Sequence, residues 1–400
     1  MLKKLTFSNY KLFKTEQELE LKPMTILIGK NSSGKSSITK LMPLLEDAFN
    51  GQNIGFALGW ENQYVSLGTS FRDLLYAREP IGELNFRFES EHFLEIDLAA
   101  DVRSRYPKIL RWKLNDEYDL KYVHSVNRYS HNQSKELLSY KYIGFNLNIE
   151  KKLPNLKDYG IKLKANYIGP YRFIPKSLIE LQPFKTNDKL GKDGEEIYQF
   201  LVEDDIDNEG IILNKVSQWY RENFEGWGIK VNYDKQPDYY ELELYRDNPK
   251  LNINFKEVGQ GMIQALPLIG SSFIPNDNSD LINVFEQPEL HLHPAAHGNI
   301  AERFAMSTIE LNKRYLIETH SQNFVLRLRR LIAEKKFDKN NLVIYYVDYD
   351  EEKGESNLKR INVDEQGSVD FWPQNVFSET LDETLAIRTA QIQNPYVSRN

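Results

Sequence analysis

The sequence predicts an α/β fold with a mostly parallel core sheet, an antiparallel β lobe and a helical insertion. Three observations lead to this prediction. The apolar run Met24–Ile28 has the composition of a buried strand and enters a glycine-rich loop followed by a helix. Residues 281–347 alternate between strand and helix patterns, which is typical of a parallel sheet with helices on its faces. Residues 84–150 alternate in period two, which indicates antiparallel strands with one buried face.

The elements follow in order from these patterns. Leu2–Phe7 and the segment ending at Ile28 predict two strands, and Ser37–Leu45 predicts the first helix. The β lobe has apolar positions at every second residue, and the pattern extends to Ile149. Residues 196–224 carry apolar positions at helical spacing on both sides of an acidic loop, which predicts the helical insertion.

The last third of the chain completes the predicted parallel sheet. Its expected elements are strand Leu281–Phe285, helix Ala295–Leu311, strand Arg314–Ile317, helix Gln322–Lys336 and strand Leu342–Val347. We expect a single domain, 1–400, with a core formed by about 1–50 and 255–400. Residues 51–254 then supply the β lobe and the helical insertion.

Composition narrows the class of protein. The 400 residues are 40% hydrophobic, enough for a sizeable core, and the net charge of −7 argues against a surface that binds nucleic acid throughout. The chain has no cysteine, which excludes disulfides and thiolate metal sites. Neither a signal peptide nor an apolar run long enough to span a membrane is evident, so we expect a cytoplasmic protein without a membrane partner.

Residues Gly29–Ser36 match the pattern GxxxxGK[ST] between a buried strand and a helix. In this setting the loop amides and the helix N-terminus bind a polyphosphate, the lysine reaches the β- and γ-phosphates, and the final hydroxyl ligates Mg²⁺. We therefore expect ATP and Mg²⁺ as cofactors. The residues predicted to bind the nucleotide are Gly29, Lys30, Asn31, Ser32, Ser33, Gly34, Lys35, Ser36 and Ser37.

A phosphate-binding loop of this kind needs a carboxylate at the end of a neighbouring strand. Glu286 stands at the end of the apolar run Leu281–Phe285, at the sheet edge where ligands bind in open α/β folds. Ser36 and Glu286 are therefore the predicted Mg²⁺ ligands.

The segments around this site resemble those of the ABC-type, AAA-like P-loop ATPases of the SMC/RecF/OLD group. Within that group, the segments resemble those of ATPase subunits of bacterial anti-phage defence systems. The segments that carry it are Phe7–Lys11, Tyr167–Arg172, Val258–Gln264, Glu286–Pro294, Thr319–Ser321 and Phe371–Pro373. The resemblance implies an ABC-type ATPase head in which two copies of the chain sandwich two ATP molecules. Gly259, Gln260 and Gly261 would contact the ATP of the other copy, and His320 would lie near the γ-phosphate.

The chain departs from the family pattern at Gln287. The family usually has Glu there, which orients or deprotonates the attacking water, whereas a carboxamide accepts no proton at neutral pH. Either the site hydrolyses ATP slowly and acts as an ATP-gated clamp, or Glu289 supplies the base. Gln287, Glu289 and His320 are the predicted catalytic residues.

Two smaller features favour a structural interpretation, and a third fits a structural or a binding role. His291 and His293 belong to the turn after Glu286, and zinc would need further ligands. The pair Asp348 and Asp350 is expected to be solvated loop carboxylates. The basic residues of 327–336 fit a solvated helix face as well as a surface for DNA or an acidic partner.

These features leave three functions open. The first is an ATPase that oligomerises on ATP, senses infection and controls an effector encoded nearby, such as a nuclease or toxin. The second is a RecF-like DNA-repair ATPase that clamps DNA, and the third is a nucleotide-gated scaffold that does not hydrolyse ATP.

Overall fold

The computed structural model describes residues 1–54, 56–100, 106–131, 134–149, 159–182, 189–233, 238–276, 278–373, 376–377 and 379–393. Its strands are β1 (Lys4–Ser8), β2 (Gln17–Glu20), β3 (Met24–Gly29), β4 (Glu83–Glu89), β5 (Phe93–Ala99), β6 (Lys108–Leu114), β7 (Tyr118–Val123), β8 (Arg128–His131), β9 (Ser134–Leu138), β10 (Tyr140–Ile143), β11 (Asn146–Ile149), β12 (Lys164–Ile168), β13 (Ile179–Glu180), β14 (Gly228–Tyr233), β15 (Tyr239–Arg246), β16 (Leu251–Asn254), β17 (Leu281–Glu286), β18 (Tyr315–Glu318), β19 (Leu342–Asp350) and β20 (Glu355–Ile361). Its helices are α1 (Lys35–Asn50), α2 (Glu196–Asp207), α3 (Ile211–Asn223), α4 (Gln260–Phe273), α5 (Pro294–Glu310), α6 (Gln322–Ala333) and α7 (Glu379–Gln393).

The core is a six-stranded sheet in the order β12-β17-β18-β3-β19-β20. Its first five strands are parallel, and β20 pairs antiparallel with β19. Glu286 at the end of β17 pairs in register with Glu318 at the end of β18, and Glu318 pairs with Leu27 of β3. The carboxyl ends of these strands therefore meet at one edge of the sheet, beside the start of α1.

The second large sheet is antiparallel, in the order β2-β1-β4-β5-β6-β7-β8-β9. Along β4 and β5 every second residue is buried, so one face packs into the core and the other faces solvent. Charges on the solvent face are paired: Arg87 contacts Glu89 and Glu95, and Arg111 contacts Asp119. The period-two pattern thus correctly predicted a lobe with one buried face.

Alternate residues of the parallel strands belong to two hydrophobic cores. In β3, Leu27 packs into the core shared with α1 and the antiparallel sheet, whereas Ile26 and Ile28 pack into the core shared with α2 to α6. This division follows from the alternation of side chains along a strand. Helix α1, which follows the phosphate-binding loop (the P-loop, Gly29–Ser36), therefore lies between the two large sheets.

The segment 140–149 departs from the expected antiparallel lobe. It forms a separate hairpin of β10 and β11 instead of joining the eight-stranded sheet. Its turn packs on the end of α1, because Gly144 and Phe145 donate backbone hydrogen bonds to Asn53 and Ala48. Gly144 has φ +60°, and a Cβ there would lie 2.0 Å from the Ala48 carbonyl oxygen, so the docked turn requires glycine.

The sheets do not follow the boundaries expected from the sequence. Strands β1 and β2, within 1–50, pair with the antiparallel lobe, whereas β12, within 51–254, joins the parallel core. Residues 228–254 add a further antiparallel sheet that the apolar pattern did not predict. Helices α2 and α3 contact each other and α4. Among the described helices, none is both long and apolar enough to cross a membrane.

Candidate nucleotide-binding site

Two glycines shape the loop between β3 and α1. Gly29 has φ +151°, and a Cβ there would lie 2.5 Å from the Val347 carbonyl oxygen. Gly34 has φ +102° and precedes α1, whose N-terminus has no side-chain cap. The first amides of α1 are therefore available to a phosphate group, as the motif predicts.

Lys35 is the buried cation of this loop, with only 2% of its surface exposed. Its ammonium donates hydrogen bonds to the carbonyl oxygens of Gly29 (3.0 Å) and Lys30 (2.6 Å). Burial lowers the pKa of Lys35, and the charges of Glu318 and Glu289 oppose that shift. The side chain lines the same pocket as the loop residues, where it can exchange these carbonyls for phosphate oxygens.

Two carboxylates end neighbouring strands beside the start of α1. Glu286 accepts a hydrogen bond from Thr39 Oγ1 at 2.6 Å, and the hydroxyl of Tyr167 also contacts it. Glu318 lies close enough to Ser36 for that hydroxyl to favour its ionised form. Ser36 and Thr39 are one helical turn apart, so α1 holds both acids through hydroxyl groups.

The two carboxylates lie in surroundings that disfavour their charged forms. Burial first, and then the neighbouring Glu286, raise the pKa of Glu318 to about 7. Burial also raises the pKa of Glu286. Glu318 Oε2 is buried without a hydrogen-bond partner among the described residues. A hard divalent cation satisfies such oxygens, and Mg²⁺ commonly takes one or two carboxylates and completes its shell with water and phosphate. Ser36 lines the pocket and Glu286 ends β17 beside it, and these two residues stay the predicted Mg²⁺ ligands.

A pocket of about 280 Å³ lies over the P-loop. Gln287, Glu318 and His320 form the wall opposite the loop. Burial, and then the charge of Lys35, lower the pKa of His320 to about 4. The imidazole is therefore neutral near pH 7 and can donate a hydrogen bond to a phosphate oxygen.

The two candidates for activating water occupy different environments. Gln287, with φ +46°, follows β17, and its backbone N–H donates to the Glu318 carbonyl oxygen at 2.8 Å. Glu289 is buried outside the pocket wall, and its Oε1 accepts a hydrogen bond from the His320 backbone N–H at 2.6 Å. Glu289 thus fixes the loop that carries His320, whereas Glu318 is the carboxylate among the described residues that line the pocket.

Arg172 was singled out only within a resembling segment, yet it holds the turn after β17. It is 4% exposed, and its Nη2 donates to the carbonyl oxygens of Glu286 (2.9 Å) and Gln287 (2.8 Å). Its backbone exchanges two hydrogen bonds with the side chain of Gln264 in α4. The turn after β17 is therefore linked to helix α4 through Arg172.

The segment before α4 lies apart from this pocket. Gly259 precedes the helix, which has no side-chain cap, and Gly259 and Gln260 are exposed. A Cβ on Gly259 would meet no atom within 4 Å, whereas one on Gly261 would lie 2.6 Å from the His291 carbonyl oxygen. The sequence-predicted residues therefore form two groups, one around the P-loop and one at the exposed start of α4.

Comparison with known families bears on this arrangement. The sequence profile described as an AAA ATPase domain matches residues 1–169 and 185–325, which is more than three quarters of the chain. The chain belongs to the AAA ATPase domain family. The matched residues include the P-loop, the turn after β17 and His320, so this chain is an ATPase that binds ATP.

Solved structures extend the comparison of this AAA ATPase to SMC heads. An SMC head bound to the C-terminal winged-helix domain of ScpA is 14% identical, with a TM-score of 0.51 over 90% of this chain and 98% of that one. The SMC head domain from Thermotoga maritima is 11% identical, with a TM-score of 0.45 over 90% of this chain and 99% of that one. The ScpA-bound SMC head from Pyrococcus furiosus is 13% identical, with a TM-score of 0.49 over 97% of this chain and 99% of that one. The first of these supports a shared fold. A search of curated proteins gives no significant match.

The remaining polar motifs of this AAA ATPase have structural roles. His293 Nδ1 accepts from the Ala295 backbone N–H at the start of α5. Asp350 accepts hydrogen bonds from the backbone of Glu352 and Lys353, and Asp348 pairs with Lys359. The described residues contain no cluster of three or more His, Cys, Asp or Glu side chains able to hold a metal.

The raised pKa of Glu318 predicts how the stability of the nucleotide-free AAA ATPase depends on pH. Glutamate has a pKa near 4.5 when unfolded and about 7 here, so the folded state binds the proton more tightly. The contribution of protonated Glu318 to the free energy of unfolding is complete below pH 4.5 and is lost as the pH rises through 7. We expect Glu318→Gln to gain stability relative to the parent between pH 5 and 8, by up to about 3 kcal/mol. Urea unfolding without nucleotide or Mg²⁺ measures this difference, and a gap that is equal at both pH values contradicts the assignment.

Proposed function

We propose that this AAA ATPase is an ATP-gated clamp that hydrolyses ATP slowly and controls a separate effector. The observation that carries the proposal is the composition of the pocket wall. A carboxamide, Gln287, stands where a carboxylate is expected, and the acid that lines the pocket is the buried Glu318. A site with every phosphate-binding group but a displaced base is suited to holding ATP for long periods.

In this proposal ATP binding rests on the P-loop and on the residues around it. The P-loop amides and the start of α1 receive the phosphates, and Lys35 leaves its two carbonyl partners for the β- and γ-phosphates. Ser36 and Glu286 would hold Mg²⁺. When bound, Mg²⁺ neutralises phosphate charge and polarises the transferring group.

Hydrolysis then needs an oriented water and a proton acceptor. In this proposal Gln287 holds the water, and the proton of that water passes to Oε2 of Glu318, which has no hydrogen-bond partner among the described residues. The water oxygen bonds to the γ-phosphorus while the bond to the β-phosphate oxygen breaks, which releases ADP and phosphate. Neutral His320 donates a hydrogen bond to the γ-phosphate, and Glu289 keeps that imidazole in place through its backbone.

The exposed start of α4 supports assembly with a second copy. Its first amides have no side-chain cap, and the positive end of the helix dipole favours a phosphate. Gly259 and Gln260 face solvent in one chain, apart from that chain's own pocket. We infer that they meet the ATP of the partner copy, and that the link from α4 through Arg172 to Gln287 relays this contact.

Gly259→Arg tests this assembly cleanly. The new side chain enters open space, so the monomer should fold normally, while its bulk should block the approach of a second copy. We expect mass photometry with ATP and Mg²⁺ to show dimers or larger assemblies for the parent and monomers for the variant. Gly261→Arg is a poorer choice because it disturbs His291 within the same chain. Gln218→Arg, on the exposed face of α3, is the matched control.

If Gly259→Arg assembles with ATP as the parent does, the assembly model is wrong. Assembly of the parent without nucleotide would equally contradict ATP gating.

The proposed effector is a nuclease or toxin that the assembled ATPase restrains until infection. The resemblance to defence ATPases motivates this step, and SMC heads of similar fold have been solved with a bound ScpA domain. DNA clamping is less favoured because the basic residues of α6 already have partners, such as Glu302 for Arg327 and Glu334 for Arg330. Expression with the neighbouring genes during phage challenge should protect cells, and Lys35→Ala should abolish protection. Equal protection from the variant would reject ATP control.

A further inference from the structure

A second polar cavity lies at the opposite edge of the parallel sheet from the P-loop. It has a volume of about 110 Å³ and is found where β12 and β17 begin. Its polar lining includes Lys164, Asn166, Asn276, Asn278, Asn283 and Lys313. None of these residues lines the nucleotide pocket, so the ATPase reaction leaves the cavity unexplained.

Lys313 is the unusual member of this lining. It precedes β18, is only 3% exposed, and makes no side-chain hydrogen bond or ion pair with the described residues. The side chain is largely shielded from water and has no hydrogen-bond partner among the described residues, so its charged form is costly unless an anion pairs with it. Burial, and then repulsion from Arg303, lower the pKa of Lys313 to about 8.

Two asparagines interrupt strands that are otherwise apolar. Asn166 Nδ2 donates to Asn283 Oδ1 at 3.0 Å, and Asn283 Nδ2 donates to the Arg314 carbonyl oxygen at 3.2 Å. Asn166 Oδ1 accepts from the Leu190 backbone N–H. Both side-chain oxygens are thus occupied, whereas each amide nitrogen keeps a second hydrogen to donate. Buried strands of a parallel sheet are usually continuous apolar runs, whereas these two asparagines make the wall of the cavity polar.

The lining is therefore rich in donors and positive charge, and no described carboxylate residue belongs to it. A water occupies about 30 Å³ in the liquid, so the cavity has room for roughly three or four waters, or for one small ion. A nucleotide is far too large. An anion with several oxygens would pair with the ammonium and accept from amides on different elements at once.

We propose that this cavity binds a small multivalent oxyanion of the phosphate class, with Lys313 as its charged partner and Asn166 and Asn283 as donors. The site is independent of the nucleotide pocket and does not rest on the proposed function.

Calorimetric titration with inorganic phosphate tests the proposal. The full chain carries Lys35→Ala throughout, so that phosphate binding at the P-loop is suppressed. We expect saturable binding to one site, weakened at least about tenfold by adding Lys313→Met, because a charge-assisted hydrogen bond contributes about 1.5–3 kcal/mol. Exchanging a buried lysine for an apolar residue of similar size should not impair folding. Lys313→Gln, which keeps polarity without charge, should lose binding as well.

The controls decide between specific and general effects. Lys162→Met removes an exposed lysine two residues before Lys164 and should change the affinity less than about twofold. Acetate, with fewer acceptor atoms, should bind more weakly than phosphate. The proposal fails if the Lys35→Ala protein does not bind phosphate, if Lys313→Met leaves the affinity unchanged, or if acetate binds more tightly than phosphate.

Discussion

Replacing Glu318 by Gln is expected to lower ATP turnover by roughly 10²- to 10⁴-fold, the usual contribution of a general base. The amide keeps the shape of the side chain but accepts no proton from water. ATP binding should stay within about threefold of the parent, because Lys35 and the loop amides are untouched. Single-turnover phosphate release, with nucleotide affinity measured in parallel, separates the two effects.

Two further variants distinguish Glu318 from the alternative bases. Gln287→Glu restores the family's usual acid and should raise turnover. Glu289 accepts a hydrogen bond from the backbone N–H of His320, so Glu289→Gln should displace His320 and reduce turnover. Adding His320→Ala to Glu289→Gln should then cause no further loss of turnover. If Glu289→Gln abolishes turnover while Glu318→Gln leaves it intact, Glu289 is the base and our assignment is wrong.

The second large effect is expected at Lys35. Lys35→Ala removes the buried cation that we propose reaches the β- and γ-phosphates, and leaves the phosphate charge without that partner. ATP affinity should fall at least tenfold, about 1.4 kcal/mol or more. Calorimetry with ATP and Mg²⁺ measures it.

Lys192→Ala is the control, because it removes an exposed lysine that does not line the nucleotide pocket. Exposed charges contribute less than about 1 kcal/mol, so its effect should be below about fivefold. Unchanged ATP affinity in Lys35→Ala would remove the basis of the P-loop assignment.

Local patterns predicted much of the fold. The strand and loop at Met24–Gly34 and the alternation of strand and helix after Leu281 have short-range signals, and the parallel core agrees with them. Pairing between distant segments has no such signal. That β12 joins the edge of the core sheet, and that the hairpin around Gly144 docks on α1, depend on tertiary contacts that a single sequence does not encode locally.

In the candidate site, too, some residues have a local sequence signal and others are recognised only from their tertiary contacts. Gly29–Ser36 and Glu286 follow from motif and spacing. No function was predicted for Glu318 from the sequence, although it ends a buried strand next to Thr319 and His320. Its register with Glu286 is the decisive relation, and only the sheet order reveals it. Lys313, likewise, looks like a surface lysine until burial is known.

The most direct test of the account is steady-state phosphate release by the purified chain with ATP and Mg²⁺, measured against Lys35→Ala as background. We predict slow release that requires Mg²⁺, below about one turnover per second and so at or under the lower end of ordinary enzymes. Release no greater than that of Lys35→Ala, or turnover of hundreds per second, would contradict the account.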